Sequence, residues 1–149
     1  MIDRFERFTL AIFEIARHWH KIAADEMARY GLKGPHALYL IMLSRHSEGV
    51  TAAKLCELCG KDKADVSRAV TAMESKGLIA RDANQSKYRA ALRLTAAGKT
   101  AAEFLSNRAS KAVESGGSGL SEEIRNNLYE ALTYIASNLR DLSKEGLPE

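Results

Sequence analysis

Residues 62–77 read Asp-Lys-Ala-Asp-Val-Ser-Arg-Ala-Val-Thr-Ala-Met-Glu-Ser-Lys-Gly, a segment with a marked start, a marked end and two unlike faces. The Asp62 carboxylate suits an N-cap, where it accepts from the free backbone N–H groups of the first turn. Gly77 suits the left-handed position just past a helix. Between them Val66, Ala69, Val70 and Met73 recur at the spacing of one helical face. At ~100° per residue, Ala64, Arg68, Thr71 and Ser75 point the other way, with Asp65 and Ser67 on the flanks. Any amphipathic surface helix has such faces. A slim polar face with one arginine also suits a DNA major groove, where Arg reads guanine and Ser or Thr reaches bases or phosphates.

The flanking sequence narrows that choice. Thr51 is placed to cap a short helix over residues 52–58, and Cys59-Gly60-Lys61 makes a tight turn into the second helix, which together predict a helix-turn-helix. Downstream, residues 78–81 and 89–94 read as two short strands joined by the polar residues 82–88. In the second strand Ala90, Leu92 and Leu94 share one face, and Arg89, Ala91 and Arg93 the other. A β-hairpin directly after a helix-turn-helix is a wing.

The succession Gly31-Leu32, Gly49-Val50-Thr51-Ala52-Ala53-Lys54-Leu55, Asp62-Lys63-Ala64-Asp65-Val66-Ser67-Arg68, Lys76-Gly77-Leu78-Ile79-Ala80-Arg81 and Leu94-Thr95-Ala96-Ala97-Gly98 resembles the winged-helix core of the MarR (multiple antibiotic resistance regulator) family. The order and spacing of these pieces carry the resemblance, and the long flanking helices match as well. It implies a mainly α fold with a small β-wing, a winged helix-turn-helix between long N- and C-terminal dimerisation helices. It also implies a dimeric transcriptional regulator whose DNA affinity is set by a small ligand or by oxidation.

Carried to residues, the resemblance puts Lys63, Ala64, Asp65, Ser67, Arg68 and Thr71 where the family's recognition helix meets bases and phosphates. Thr51, Lys61 and Arg81 join the expected DNA-facing set. Arg89 matches the arginine of the family's Asp-x-Arg wing motif, which enters the minor groove, a place where narrow A·T-rich DNA attracts arginine. The aspartate position of that motif is Lys87 here, which removes a carboxylate and adds a positive charge. Asp65 stands where a small hydroxyl residue is usual. Near phosphates an acidic side chain is repelled unless it accepts from cytosine N4 or pairs with Lys61, Lys63 or Arg68, and pairing within the protein is favoured.

A length of 149 residues suits one domain over 1–149, with residues 35–98 as the winged-helix core, 95–114 as a linking helix, and 1–30 and 120–149 as dimerisation helices. With 46% hydrophobic and 28% charged residues the composition is that of a soluble globular protein. The longest apolar run, residues 37–43, is far shorter than the ~20 residues that cross a bilayer. Charges interleaved with phenylalanines near the N-terminus do not resemble a signal peptide, so a cytoplasmic location is expected. The net charge of +3 is too small to argue for nucleic acid, but its distribution is uneven. Residues 51–100 hold ten Lys and Arg against five Asp and Glu, which places local positive potential on the central segment.

Residues 2–30 lack Pro and Gly and carry Phe5, Phe8, Ile12, Ile15, Trp19 and Ile22 at alternating spacings of three and four, a coiled-coil-like seam. Leu10, Phe13, Ala16, Ala23 and Met27 widen the apolar surface. Gly31 ends this helix, and residues 35–45 form a buried one. Thr95 caps a long helix, residues 115–119 break it, and Ser121 opens a last helix carrying Ile124, Leu128, Ala131, Ile135, Leu139 and Leu142. So small a chain cannot cover apolar helices at both ends by itself. A two-fold homodimer is the expected solution, with Phe5, Phe8, Ile12, Ile15, Ile124, Leu128, Ile135 and Leu139 at its interface. Such a dimer presents two recognition helices about one DNA turn apart and reads a pseudo-palindromic operator in double-stranded DNA.

Cys56-Glu57-Leu58-Cys59 admits two readings: small residues facing the helix-turn-helix core, or a thiol pair that senses oxidation. A closed structural zinc site needs four ligands, and one such pair does not supply them. His18 and His20 lie two apart on a helix and face different directions, so no metal site is expected. Trp19, His36 and Tyr39 either pack in the core and interface or line a pocket for a small aromatic effector. No phosphate loop or nucleophile elbow appears, and neither an enzyme nor a bound cofactor is expected. Between repressor and activator, a bulky dimer on promoter DNA favours repression. The remaining alternative is a winged helix used as a protein-interaction module, which needs an exposed apolar patch in place of the basic face around Arg68 and Arg89.

Overall fold

The fold is known from a computed structural model, which describes residues 3–82 and 89–149. Helix α1, Arg4–Met27, is capped by the Asp3 carboxylate, passes into a 3₁₀ turn at Ala28–Tyr30, and stops at Gly31, whose φ of 65° is left-handed. Helix α2, His36–Ser44, buries Tyr39, Leu40 and Leu43. Helix α3, Ala52–Cys59, and helix α4, Lys63–Ser75, follow, joined by a turn in which Gly60 is left-handed. Thr51 accepts from Lys54 N at 3.2 Å and Asp62 accepts from Asp65 N at 2.8 Å, so both helices of the pair are capped by the residues whose chemistry predicts it.

Strands β1, Ile79–Arg81, and β2, Leu92–Leu94, pair antiparallel with Ile79 opposite Leu94, Ala80 opposite Arg93 and Arg81 opposite Leu92. Val50 pairs with Leu92 from the other side through hydrogen bonds of 3.0 and 2.8 Å, so β2 lies between the loop before α3 and β1. The second strand is shorter than expected. Arg89 and Ala90 lie in a turn and a bend before it, although burial still alternates as read, with Ala90 and Leu92 inside and Arg89 and Arg93 outside.

Helix α5, Ala96–Gly116, starts where Thr95 Oγ1 accepts from Gly98 N and donates to the Gly77 carbonyl. A Cβ at position 98 would overlap the Leu78 carbonyl oxygen, so only glycine lets the start of α5 lie directly on the chain entering β1. Helix α6, Glu122–Glu145, is capped by Ser121.

The chain forms two compact units, Met1–Ala109 and Ser110–Glu149. The first has a continuous core drawn from every element between Met27 and Leu105, with Leu40, Leu43, Leu55, Met73 and Leu92 fully enclosed. At its edge Arg108 donates twice to Glu26 Oε1, tying the end of α1 to α5, and the Arg29 guanidinium lies 5.0 Å from the centre of the Phe104 ring. In the second unit Arg125 of α6 holds the Glu114 carboxylate and the Gly117 carbonyl, fixing the turn after α5.

Candidate nucleic-acid interface

Helix α4 has the two faces its sequence implies. Val66, Ala69, Val70 and Met73 are buried, while Lys63, Ala64, Ser67, Arg68, Thr71 and Ser75 are exposed. The outward stripe is slim because it consists of alanine and hydroxyl residues, and Arg68 rises above it with 71% of its side chain accessible. Asp65 does pair within the protein: its Oδ1 accepts from Arg68 Nη2 at 2.6 Å. An exposed pair one turn apart on a helix contributes little stability, ~0.3 to 0.5 kcal/mol, so its main effect is to aim the guanidinium. Lys61 is exposed in the turn before α4, and Thr51 spends its hydroxyl on the α3 cap.

The wing separates its arginines by register. Arg81 stands opposite Leu92 on the inward side of the hairpin, which turns its side chain back toward α4. There Nε and Nη2 donate to Glu74 Oε1 at 3.0 and 2.9 Å, and only 19% of the side chain remains accessible. The structure therefore gives Arg81 the work of tying the wing to the recognition helix. Arg93, on the outward side, donates from Nε to Asp82 Oδ1 at 3.2 Å and from Nη1 to the Ser47 carbonyl at 2.9 Å. Arg93 is absent from the DNA-facing set expected from the sequence, although the alternation of its strand places it on the same side as Arg89. Arg89 is exposed. Lys87 lies outside the described residues.

Two of the expected effector residues come together. His36 and Tyr39 meet, with ring centres 6.4 Å apart. Tyr39 is a core residue with 3% of its surface accessible, and burial pushes its hydroxyl pKa up. Burial, with Lys33 second, lowers that of His36. Trp19 is largely exposed on α1 and forms no ring contact among the described residues. Cys56 and Cys59 are free thiols, half-buried against the core, and burial raises the Cys59 pKa, with Cys56 adding to the shift. A thiol kept protonated is a poor nucleophile, which favours packing over sensing. Among the described residues no group of histidine, cysteine or carboxylate side chains could hold a metal ion.

A capped helix-turn-helix, a polar outward face with one prominent arginine, and a wing tied to the second helix occupy residues 49–94. The sequence model of the MarR family matches residues 30–89, a span that contains all of α2, α3, α4 and β1. Over that span the chain matches the MarR family. Solved structures similar to most of the chain include regulators of that type. A MarR transcriptional regulator from Methanosarcina mazei Go1 superposes with a TM-score of 0.81 at 20% identity, over 92% of this chain and 99% of that one. A putative MarR family regulator from Listeria monocytogenes, solved with 26mer DNA, gives a TM-score of 0.77 at 25% identity, over 95% and 96% of the two chains. MepR from Staphylococcus aureus, in its DNA complex, gives 0.77 at 21% identity, over 89% and 96%. No curated protein sequence matches the chain. The fold is thus that of these transcriptional regulators.

Proposed function

We propose that this chain is a homodimeric, sequence-specific DNA-binding repressor of transcription, acting in the cytoplasm, whose DNA affinity falls when a small ligand binds. The observation that carries this reading is the outward face of α4, where Lys63, Ala64, Ser67, Arg68 and Thr71 stand exposed on a helix whose other face is locked into the core. In this reading α4 enters the major groove, Arg68 pairs with a guanine edge, and Ser67 and Thr71 reach neighbouring bases or phosphates. Lys61, Lys63 and Thr51 flank the groove, and Arg89 follows the backbone toward the adjacent minor groove. The DNA complexes of the similar Listeria and Staphylococcus proteins support it, as does the positive balance of residues 51–100.

Dimerisation is supported by what the terminal helices leave uncovered. Of the large apolar residues on α1, Phe5, Phe8, Ile12, Phe13 and Ile15 are all exposed, and Met27 alone is buried. On α6 no residue is buried, and Ile124, Leu128, Leu132 and Leu139 are exposed. Apolar faces of this extent mark interaction surfaces. An interaction module that replaces DNA binding would instead need its apolar patch beside α4 and the wing, where no large apolar side chain is exposed among the described residues. No helix among the described residues is long and apolar enough to cross a membrane.

Hydroxyl-radical footprinting on the DNA upstream of the chain's own gene tests the proposal. Two protected patches whose centres lie about one helical turn apart, ~34 Å or a multiple, are expected from a two-fold dimer. Uniform protection along the fragment, or none, would overturn it.

A further inference from the structure

The start of α4 presents more than a single arginine. Arg68 Nη2 donates to Asp65 Oδ1 at 2.6 Å, with 71% of the arginine side chain and 47% of the aspartate side chain accessible. Both project from backbone that is held in place. Asp65 N donates to the Asp62 carboxylate at 2.8 Å, and Val66 and Ala69, next to the two residues in the chain, are buried in the core. Among the described residues, Arg68 Nε and Nη1 and Asp65 Oδ2 have no hydrogen-bond partner. Nη2 carries two hydrogens and has given one.

We propose that Asp65 reads a base in its own right: with Arg68 it forms one composite reader of a G·C pair, the arginine taking the guanine and the aspartate accepting from N4 of the cytosine opposite. The inference deepens the function proposed above and rests on it.

The two edges match in hydrogen-bonding order. Across the major groove a G·C pair presents acceptor, acceptor, donor, which are guanine N7, guanine O6 and cytosine N4. The pair on α4 offers donor, donor, acceptor, because the bond from Nη2 sets the carboxylate directly beside the guanidinium. Nη1 and Nη2 then meet N7 and O6 as a bidentate contact, and Nη2 uses the hydrogen that it has not given to Asp65. Spacing agrees as well. O6 and N4 are hydrogen-bonded to one another within the base pair and so lie ~2.9 Å apart, close to the 2.6 Å between Nη2 and the nearer carboxylate oxygen.

The other base pairs do not fit that order. A·T presents a donor where Nη2 arrives and an acceptor where the carboxylate arrives, and C·G presents the right groups reversed. A carboxylate set against thymine O4 is repelled, so Asp65 rejects wrong pairs as well as accepting the right one. An anion near phosphates weakens binding to every sequence, and a base contact offsets that loss on one of them. The first turn of α4 is also where a carboxylate is best tolerated, because the positive end of the helix dipole lies there. Recognition helices read bases with their N-terminal residues, which is where Asp65 stands.

Binding of the full chain to its footprinted upstream site tests the inference when each cytosine in turn is replaced by N4-methylcytosine. That base keeps its pairing with guanine and carries a methyl group in place of the outward N–H. For wild type, the change at one pair in each half-site should weaken binding by about tenfold, the scale of one hydrogen bond to a charged group. Asp65→Ala, which leaves the Asp62 carboxylate in place as the cap, should bind the plain and methylated sites within about twofold of each other. 7-Deazaguanine at the same pair, which lacks N7, should weaken both proteins and so place Arg68 on that pair. A role confined to aiming Arg68 would make the two proteins respond alike to the methyl group. Wild type insensitive at every cytosine, or Asp65→Ala as sensitive as wild type, would overturn base reading by Asp65 and leave the proposed function standing. Absence of any preferred sequence would overturn both.

Discussion

At the scale of single residues, Arg68 is the side chain on which sequence reading should depend. A bidentate arginine–guanine pair discriminates by ~1 to 3 kcal/mol, so Arg68→Ala should weaken binding to the specific site by that amount and change affinity for random duplex much less. Equal losses on both, in the same binding assay, would make Arg68 a phosphate clamp. Asp65→Asn should act in the opposite sense on random DNA, tightening it, because a negative charge beside the phosphates is removed while the Asp62 cap stays intact. The Asp65–Arg68 pair was legible in the sequence because spacing alone brings residues one turn apart together. The Arg81–Glu74 pair was less so. It joins residues seven apart across a turn, and only the register opposite Leu92 shows that Arg81 faces inward.

At the scale of elements, the helix starts were the most readable feature, since Thr51, Asp62, Thr95 and Ser121 all carry side-chain oxygens that accept from the first turn. The shortening of β2 was not readable, because strand ends depend on which carbonyls find partners; the Ala91 carbonyl accepts from Asp82 N just outside the strand. Contacts between distant elements were hidden as well. The tie from Glu26 of α1 to Arg108 of α5 spans 82 residues and leaves no local pattern. Its hydrogen bond to Arg108 is the largest influence holding the Glu26 carboxyl below its ordinary value of 4.5, with partial desolvation opposing and the charges of Arg108 and Arg29 adding to it. A depressed folded-state pKa means that the unfolded chain takes up the proton first as pH falls. The tie therefore stabilises fully above the ordinary carboxyl range and is lost on acidification through the depressed value. Thermal melts of wild type and Glu26→Gln should differ most near neutral pH and converge as pH falls below the ordinary carboxyl range. A constant gap across that range would show that Glu26 acts only through packing.

At the scale of the whole molecule, the terminal helices form where the sequence places them, and their apolar side chains are exposed in the isolated chain. A chain of 16.4 kDa should therefore sediment at twice that mass, and Phe8→Glu with Leu128→Glu should shift it toward the monomer. A wild-type chain that sediments as a monomer at micromolar concentration would contradict the dimer. The central claim is that the outward face of α4 reads a DNA sequence, and one comparison tests it most directly. Binding of the purified protein to the DNA upstream of its own gene is measured against random duplex of equal length across a salt series. Affinity for both should fall linearly with the logarithm of salt as counterions are released, and the upstream fragment should keep a specific excess at every salt concentration, an excess that Arg68→Ala reduces. Equal affinities that fall together, with no excess surviving at high salt, would contradict it.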